Sequence, residues 1–577
     1  MSWRIKEQLR ELLADESGYY VHHDNRRTRV ALAYPNSYFV GMSNLGLHII
    51  YRLLNERSDT ACERCFLPEK RQQEEYIKHR TRLMTMETQS DLSSFDIVAF
   101  VMSFEMDYFN ILKMLELGKI NPLASERDER DPLIIAGGPC ATFNPEPMSM
   151  FVDAFVIGEG EVIMPSFMEV YNKARVEGKS RQELLDLLAG IPGVYVPSCY
   201  EVQYASDGYG AHFLPISDAP PKVSRQWLKN LDEFPGETVI YTDNTEFKLH
   251  LVEIARGCGR HCRFCMAGYC FRRPRNRSLP AIEKMLLNAK KDGRRVGLMG
   301  AAISDYPEID NLCRDILGDG LSMSVASFRA DSVTYELVDS LAKSGLKTLT
   351  MAPEAGSKRM RAVINKGIEE EHLLNAMAMG IKTGIRNFRL YIMIGLPGES
   401  HEDIQGIIDM AVKLKTFMED HGATGRLTLS INPFIPKPFT PFQWAPMASL
   451  KYIQGALKEI NGALKKKHNI EIIAESPRDA YVQAVLARGN RNTGVYLWEA
   501  YKNGGSKGMK AVLREHGTSM EELVGQEIPP DVDLPWDILD MGFSRDYLRK
   551  EYMEAQKEAP VHTVQCFDGC KRCGVCE

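Results

Sequence analysis

The sequence contains no apolar run long enough to cross a bilayer, which takes about 20 consecutive apolar residues. No membrane segment is therefore expected. Net charge is also nearly absent, since 71 Lys and Arg stand against 77 Asp and Glu, a formal −6. That balance exerts no global pull on nucleic acid, and any such contact needs a local patch. The opening residues, Met1-Ser-Trp-Arg-Ile-Lys-Glu-Gln, lack the apolar core of a secretory signal, and a cytoplasmic protein is expected. Of 13 cysteines, seven fall in two tight groups. In a reducing compartment such grouping means metal rather than a disulfide framework.

The chain has 577 residues, 44% of them hydrophobic, enough for about three domains. Residues 1–190 alternate short apolar runs (30–34, 97–101, 133–136 and 155–157) with helical stretches such as 45–54 and 108–117. This pattern predicts a doubly wound, mostly parallel sheet covered on both faces. Gly137 and Gly138 fall at a strand end, where an open α/β sheet binds ligands. Cys62 and Cys65 form a C-x2-C pair in a polar stretch, read either as a metal half-site with Cys140 or Cys199 or as ordinary cysteines near a helix end. Residues 191–248 read as an irregular linker.

From residue 249 to 446 the period is strand then helix, six times: 249–254, 295–299, 321–326, 347–352, 388–394 and 427–432 are the strands. Six such units predict a partial (β/α)6 barrel, with chemistry at the carboxyl ends of its strands. Directly after the first strand comes Arg256-Gly-Cys-Gly-Arg-His-Cys-Arg-Phe-Cys265. Cys258, Cys262 and Cys265 can ligate three irons of one cubane and leave the fourth without a protein ligand. A zinc knuckle is the alternative, but three ligands do not close a zinc site. Residues 447–577 read as a helical region. It ends in Cys566, Cys570, Cys573 and Cys576, spaced C-x3-C-x2-C-x2-C, which suits a second [4Fe-4S] cluster or structural zinc.

The cysteine stretch and the barrel resemble the radical SAM superfamily, in which the open iron binds S-adenosylmethionine. The resemblance implies an aromatic contact to the adenine from Phe264. It places Gly300 where the family meets the methionine amine, although the acid usual there is missing. It makes Arg329 a fork for the methionine carboxylate, with an ion pair to Asp331 as the alternative. It gives Glu354 a role at the ribose or amine, and Gly395 a role as a backbone wall for the adenine. No residue is assigned as a catalytic acid, base or nucleophile.

Residues 1–190 resemble the cobalamin-binding domain that precedes many such barrels, with Gly137, Gly138 and Ser103 matching its ligand-facing turns. The D-x-H-x-x-G motif that supplies an axial histidine is absent, so the fold is expected either with cobalamin or without it. The implied activity is reductive cleavage of S-adenosylmethionine and modification of a C–H position. Methylation with cobalamin is one form of it. Sulfur insertion on RNA or protein, as in methylthiotransferases, is another, and a non-catalytic iron–sulfur sensor is the reading from another class. A flavodoxin or ferredoxin is the implied electron donor. Seven arginines between residues 256 and 277, and a lobe of prolines and aromatics at 432–444, suggest phosphate contact and base stacking, with solvated surface arginines and a packing loop that closes the barrel edge as the alternatives.

Overall fold

The computed structural model describes residues 2–24, 26–205, 210–567 and 569–576. The N-terminal sheet has six strands in the spatial order Thr60–Phe66, Thr28–Tyr34, Ile97–Val101, Leu133–Gly137, Ala154–Val156 and Val194–Tyr195. All pairings are parallel except the last. The central runs are apolar throughout because helices cover both faces. One cover, Leu45–Asn55, starts where the Asn44 side chain accepts from the Leu47 N–H, a cap that satisfies an otherwise orphan donor. The strand order reverses beside Thr28–Tyr34, and ligands bind at such a switch point, outside the carboxyl ends of the strands.

Thr60–Phe66 was not visible as a strand, because Glu63 and Arg64 sit in its middle. Arg64 is fully buried between Glu16 (2.6 Å) and Glu87 (2.7 Å), so the charges are compensated inside. The strand also corrects the metal reading of Cys62 and Cys65. Three residues apart on a strand, they point to opposite faces, and both are buried.

The barrel strands are Leu249–Glu253, Arg295–Met299, Met323–Ser324, Thr348–Glu354, Asn387–Ile394 and Leu427–Pro433, all parallel. They fall three and three into two sheets joined by a bridge from Phe328 to Met351. A seventh strand, Ile470–Ala474, pairs with Leu427–Pro433 and carries the sheet past residue 446. Its partly exposed side chains blur the apolar contrast on which periodicity depends.

Residues 191–248 are more structured than a linker. They include the hairpin of Tyr200–Tyr204 with Ala211–Pro215, and Val223–Ser224 pairs in parallel with Leu539–Asp540. The C-terminal helix Thr493–Lys502 packs back on the N-terminal domain, where Arg491 pairs with buried Glu146 at 3.1 Å. No described helix is long and apolar enough to cross a membrane.

Candidate functional site

The first barrel strand delivers the chain to Arg256, and a two-residue antiparallel pairing of Ala255–Arg256 with Arg275–Asn276 closes the base of the cysteine loop. Gly257 has φ +82°, and a Cβ there would stand 2.1 Å from the Phe271 carbonyl oxygen, so the turn needs glycine. Cys262 is buried, and Cys258 and Cys265 are half-buried. Burial, and then the charges of Cys262 and Cys258, push the Cys265 thiol up to about 12. Three thiolates crowded this way require positive charge among them, which a bound metal group supplies. The donor set therefore fits a three-ligand iron–sulfur site. Among the described residues, no three His, Cys, Asp or Glu side chains gather into a single-ion site.

Three groups named from the sequence, Arg329, Phe264 and Glu354, meet beside these cysteines together with Lys366. Arg329 approaches the Cys262 sulfur with Nη1 at 3.8 Å, and its Nη2 donates to the Lys366 carbonyl at 2.5 Å. Lys366 Nζ lies 5.8 Å from the Phe264 ring centre and 3.2 Å from Glu354. Glu354 ends its strand at φ +66°, a left-handed conformation that costs a non-glycine residue energy and often marks functional positions. The Arg329 fork expected for a ligand carboxylate is instead closed on Asp331, at 3.0 and 3.1 Å, so its free edge faces sulfur. Gly395 turns the chain after Asn387–Ile394 and donates to Glu399 at 2.7 Å. Burial pushes the Glu399 carboxyl up to about 7.

Gly300, Ser103, Gly137 and Gly138 meet elsewhere, in a cavity of about 410 Å³ between the carboxyl edge of the N-terminal sheet and the first barrel turn. Its walls are mostly apolar, with Leu45, Ile49 and Phe271 among them, and Gly257 opens it beside Cys258. No histidine or cysteine lines it among the described residues. His48 is buried, with Nε2 on the Met42 carbonyl and Nδ1 facing the N–H groups of Val239 and Ile240. Neither nitrogen is available to a ligand. The cavity fits an apolar-edged cofactor, and does not fit one that needs an imidazole from this chain.

The arginines do not form a phosphate patch. Arg256 binds Glu159, Glu161 and Glu253 (2.7–3.0 Å), Arg260 binds Asp305 and Asp331, Arg263 binds Glu551, and Arg275 and Arg277 bind Glu159 and Glu253. Only Arg273 of the seven is exposed. The aromatic lobe is likewise core: Phe434, Phe442 and Trp444 are buried, and Gln443 accepts from the Trp536 indole at 2.9 Å. Local sequence showed clustered cations and rings, but not the distant carboxylates and side chains that enclose them.

The tail lands on the cysteine loop. Cys566 N–H donates to the Gly259 carbonyl at 2.8 Å, and Cys566 Sγ lies 3.5 Å from His261 Nε2, 305 residues away in sequence. Thr563 and Asn365 exchange two hydrogen bonds (2.9 and 3.1 Å), and Arg263 holds Glu551 at 3.0 Å. Burial, and then Arg272, lower His261 to about 2. Nothing within either cysteine motif signals that the two are neighbours.

The family model for the N-terminal region of radical SAM proteins matches residues 46–197, and that for the radical SAM superfamily matches residues 252–411. An uncharacterised protein of Methanocaldococcus jannaschii is 30% identical over 480 residues, 81% of this chain and 90% of that one. The tRNA-2-methylthio-N(6)-dimethylallyladenosine synthase of Carboxydothermus hydrogenoformans is 24% identical over 302 residues, 47% of this chain and 68% of its own length. Among solved structures, the radical S-adenosylmethionine methyltransferase TsrM of Kitasatospora setae, with cobalamin and a [4Fe-4S] cluster bound, superposes with a TM-score of 0.51 at 14% identity. That match covers 85% of this chain and all of the other; at this identity it speaks for the fold. The chain is an enzyme of the radical SAM superfamily.

Proposed function

We propose that this enzyme cleaves S-adenosylmethionine reductively at the Cys258, Cys262 and Cys265 site, and that it methylates a C–H position with cobalamin held in the cavity between the two domains. The observation that carries the reading is that one cavity is lined both by the sheet's ligand-facing turns and by Gly257, next to the first cysteine. A [4Fe-4S] cluster there, when bound, supplies the electron that splits the sulfonium's bond to C5′, giving methionine and a 5′-deoxyadenosyl radical. The chain's own part is positioning. The three cysteines would hold three irons of the cluster and leave the fourth without a protein ligand, and Phe264, in the same loop, would offer its ring on the side that Lys366 also faces, 5.8 Å away. Glu354 presents a carboxylate whose Oε1 is paired with Lys366, and its other oxygen can accept from an amine or hydroxyl while that pair stays in place. Arg329 sets a positive charge against Cys262. The apolar cavity walls exclude water from reactive species.

The reading extends to a cytoplasmic enzyme served by a flavodoxin or ferredoxin and acting on RNA or protein. The test is anoxic reconstitution with iron, sulfide and hydroxocobalamin. About one cobalamin per chain is expected, and Gly46→Phe, which fills the cavity from a helix position that meets only Asn44, should lower occupancy without changing iron content. Full iron with no cobalamin bound removes the methylation reading. Sulfur transferred to substrate in its place would favour the methylthiotransferase-like alternative, which the sequence likeness to that synthase supports.

A further inference from the structure

The four tail cysteines are not consumed by this chemistry, yet they are docked against the loop that performs it. Their spacing separates the two metal readings. Structural zinc sites usually set two cysteine pairs apart by a long loop. Here all four ligands lie in one compact run, as in the cysteine runs of ferredoxins. The two ends of the run face different surroundings: Cys566 reaches His261 inside, whereas Cys576 is exposed. One end therefore meets solvent and the other meets the barrel loop.

His261 is the junction, and its proton can be located by elimination. Arg272 Nη1 donates to His261 Nδ1 at 3.1 Å, because a guanidinium has no acceptor. The Tyr547 hydroxyl meets the same nitrogen. Nδ1 is thus the acceptor, and the ring proton sits on Nε2, aimed at the Cys566 sulfur. His261 itself lies between Cys258 and Cys262. A single residue is therefore part of one cysteine loop and a hydrogen-bond donor to a ligand of the other. Hydrogen bonds to cysteine sulfur set the reduction potential of iron–sulfur groups.

We propose that Cys566, Cys570, Cys573 and Cys576 hold a second iron–sulfur group through which a low-potential one-electron carrier reduces the barrel site, and that His261 is the positioning residue that joins the two. The balance is simple: the carrier is oxidised by one electron, the tail group takes that electron and passes it on, and no bond or proton moves in the relay. The proposal rests on the radical reading of the barrel site. It is distinct from sulfur donation, in which the tail group would be consumed.

The test is electron paramagnetic resonance of the reconstituted full chain during a reductive titration. The wild type should hold about eight irons and show two signals, one perturbed by S-adenosylmethionine and one not. His261→Phe should shift the unperturbed signal's midpoint to lower potential, and His261→Gln, which keeps an N–H, should restore it. In His261→Phe the ratio of carrier-driven to dithionite-driven 5′-deoxyadenosine should fall about tenfold, a typical second-layer effect. Should His261→Phe not fold, Cys576→Ser at the exposed end should remove about four irons and the unperturbed signal. About four irons with one zinc in the wild type, or an unmoved midpoint in His261→Phe, overturns the relay alone. Failure of the wild type to cleave S-adenosylmethionine with any reductant overturns the radical reading beneath it.

Discussion

The two cysteine runs begin with the same spacing, C-x3-C-x2-C, and then part company. The run at Cys258, Cys262 and Cys265 stops at three, whereas the run from Cys566 to Cys573 adds Cys576 three residues on. Their surroundings differ as much. The barrel run hangs from a strand end and is framed by Arg256, Arg260, Arg263, Arg275 and Arg277, each paired with a carboxylate. The tail run has a half-buried first ligand and an exposed last one. The difference teaches that spacing alone does not decide what a cysteine run does. The count of protein ligands decides whether an iron stays open, and the contacts around the run decide what can reach it.

The comparison breaks most decisively at a ligand. Cys262→Ala should bring S-adenosylmethionine cleavage to background and lower iron from about eight to about four per chain, while the signal insensitive to S-adenosylmethionine remains. Loss of both signals would mean that the runs are one site.

A second test sharpens the contrast in anchoring. Glu159 reaches from the N-terminal domain to Arg256 (3.0 Å) and Arg275 (2.6 Å) beneath the barrel run. Burial opposes its charge, but Arg275 and Arg256 outweigh that and hold its carboxyl below the usual range. Stability from such a group is present above the unfolded pKa, near 4.3, and is lost as pH falls through the folded value. Glu159→Ala should cost about 3–5 kcal/mol near pH 7, read by denaturant unfolding, and should loosen the barrel run before the tail run. An unchanged midpoint would remove Glu159 from the account.

A smaller effect is expected at Arg329. Replacement by Met withdraws the cation 3.8 Å from the Cys262 sulfur, so the signal sensitive to S-adenosylmethionine should move to lower potential and the tail signal should stay in place. The least effect is a pH profile at the rim. Glu399, held at about 7 by burial, binds its proton more tightly folded than unfolded. Its contribution to stability is full below the unfolded pKa and is lost as pH rises through 7. Glu399→Gln should flatten that decline in thermal melts between about pH 4.5 and 7.5 and leave both iron signals intact.

Much of the fold was legible because apolar runs bounded by turns mark parallel strands. All six expected barrel strands agree with the observed strands to within two residues at each end, and the helices at Leu45–Asn55 and Tyr108–Gly118 agree with the expected stretches. The strand Thr60–Phe66 escaped because its charges are neutralised from residues 16 and 87, and Ile470–Ala474 because one edge strand faces solvent. The three-cysteine loop could be read locally, since its ligands share one turn. The pairing of Arg329 with Asp331, two residues on, was open to the sequence as the alternative reading; the burial of the arginine cluster and the docking of Cys566 on His261 were not. Each of the latter two depends on a partner that only the fold brings near.

The most direct test of the central claim is addition of S-adenosylmethionine to the anoxically reconstituted, dithionite-reduced full chain, with methionine and 5′-deoxyadenosine quantified against iron. An open iron at the Cys258 loop predicts both products, formed in step. A protein with its full complement of iron that yields neither contradicts the account.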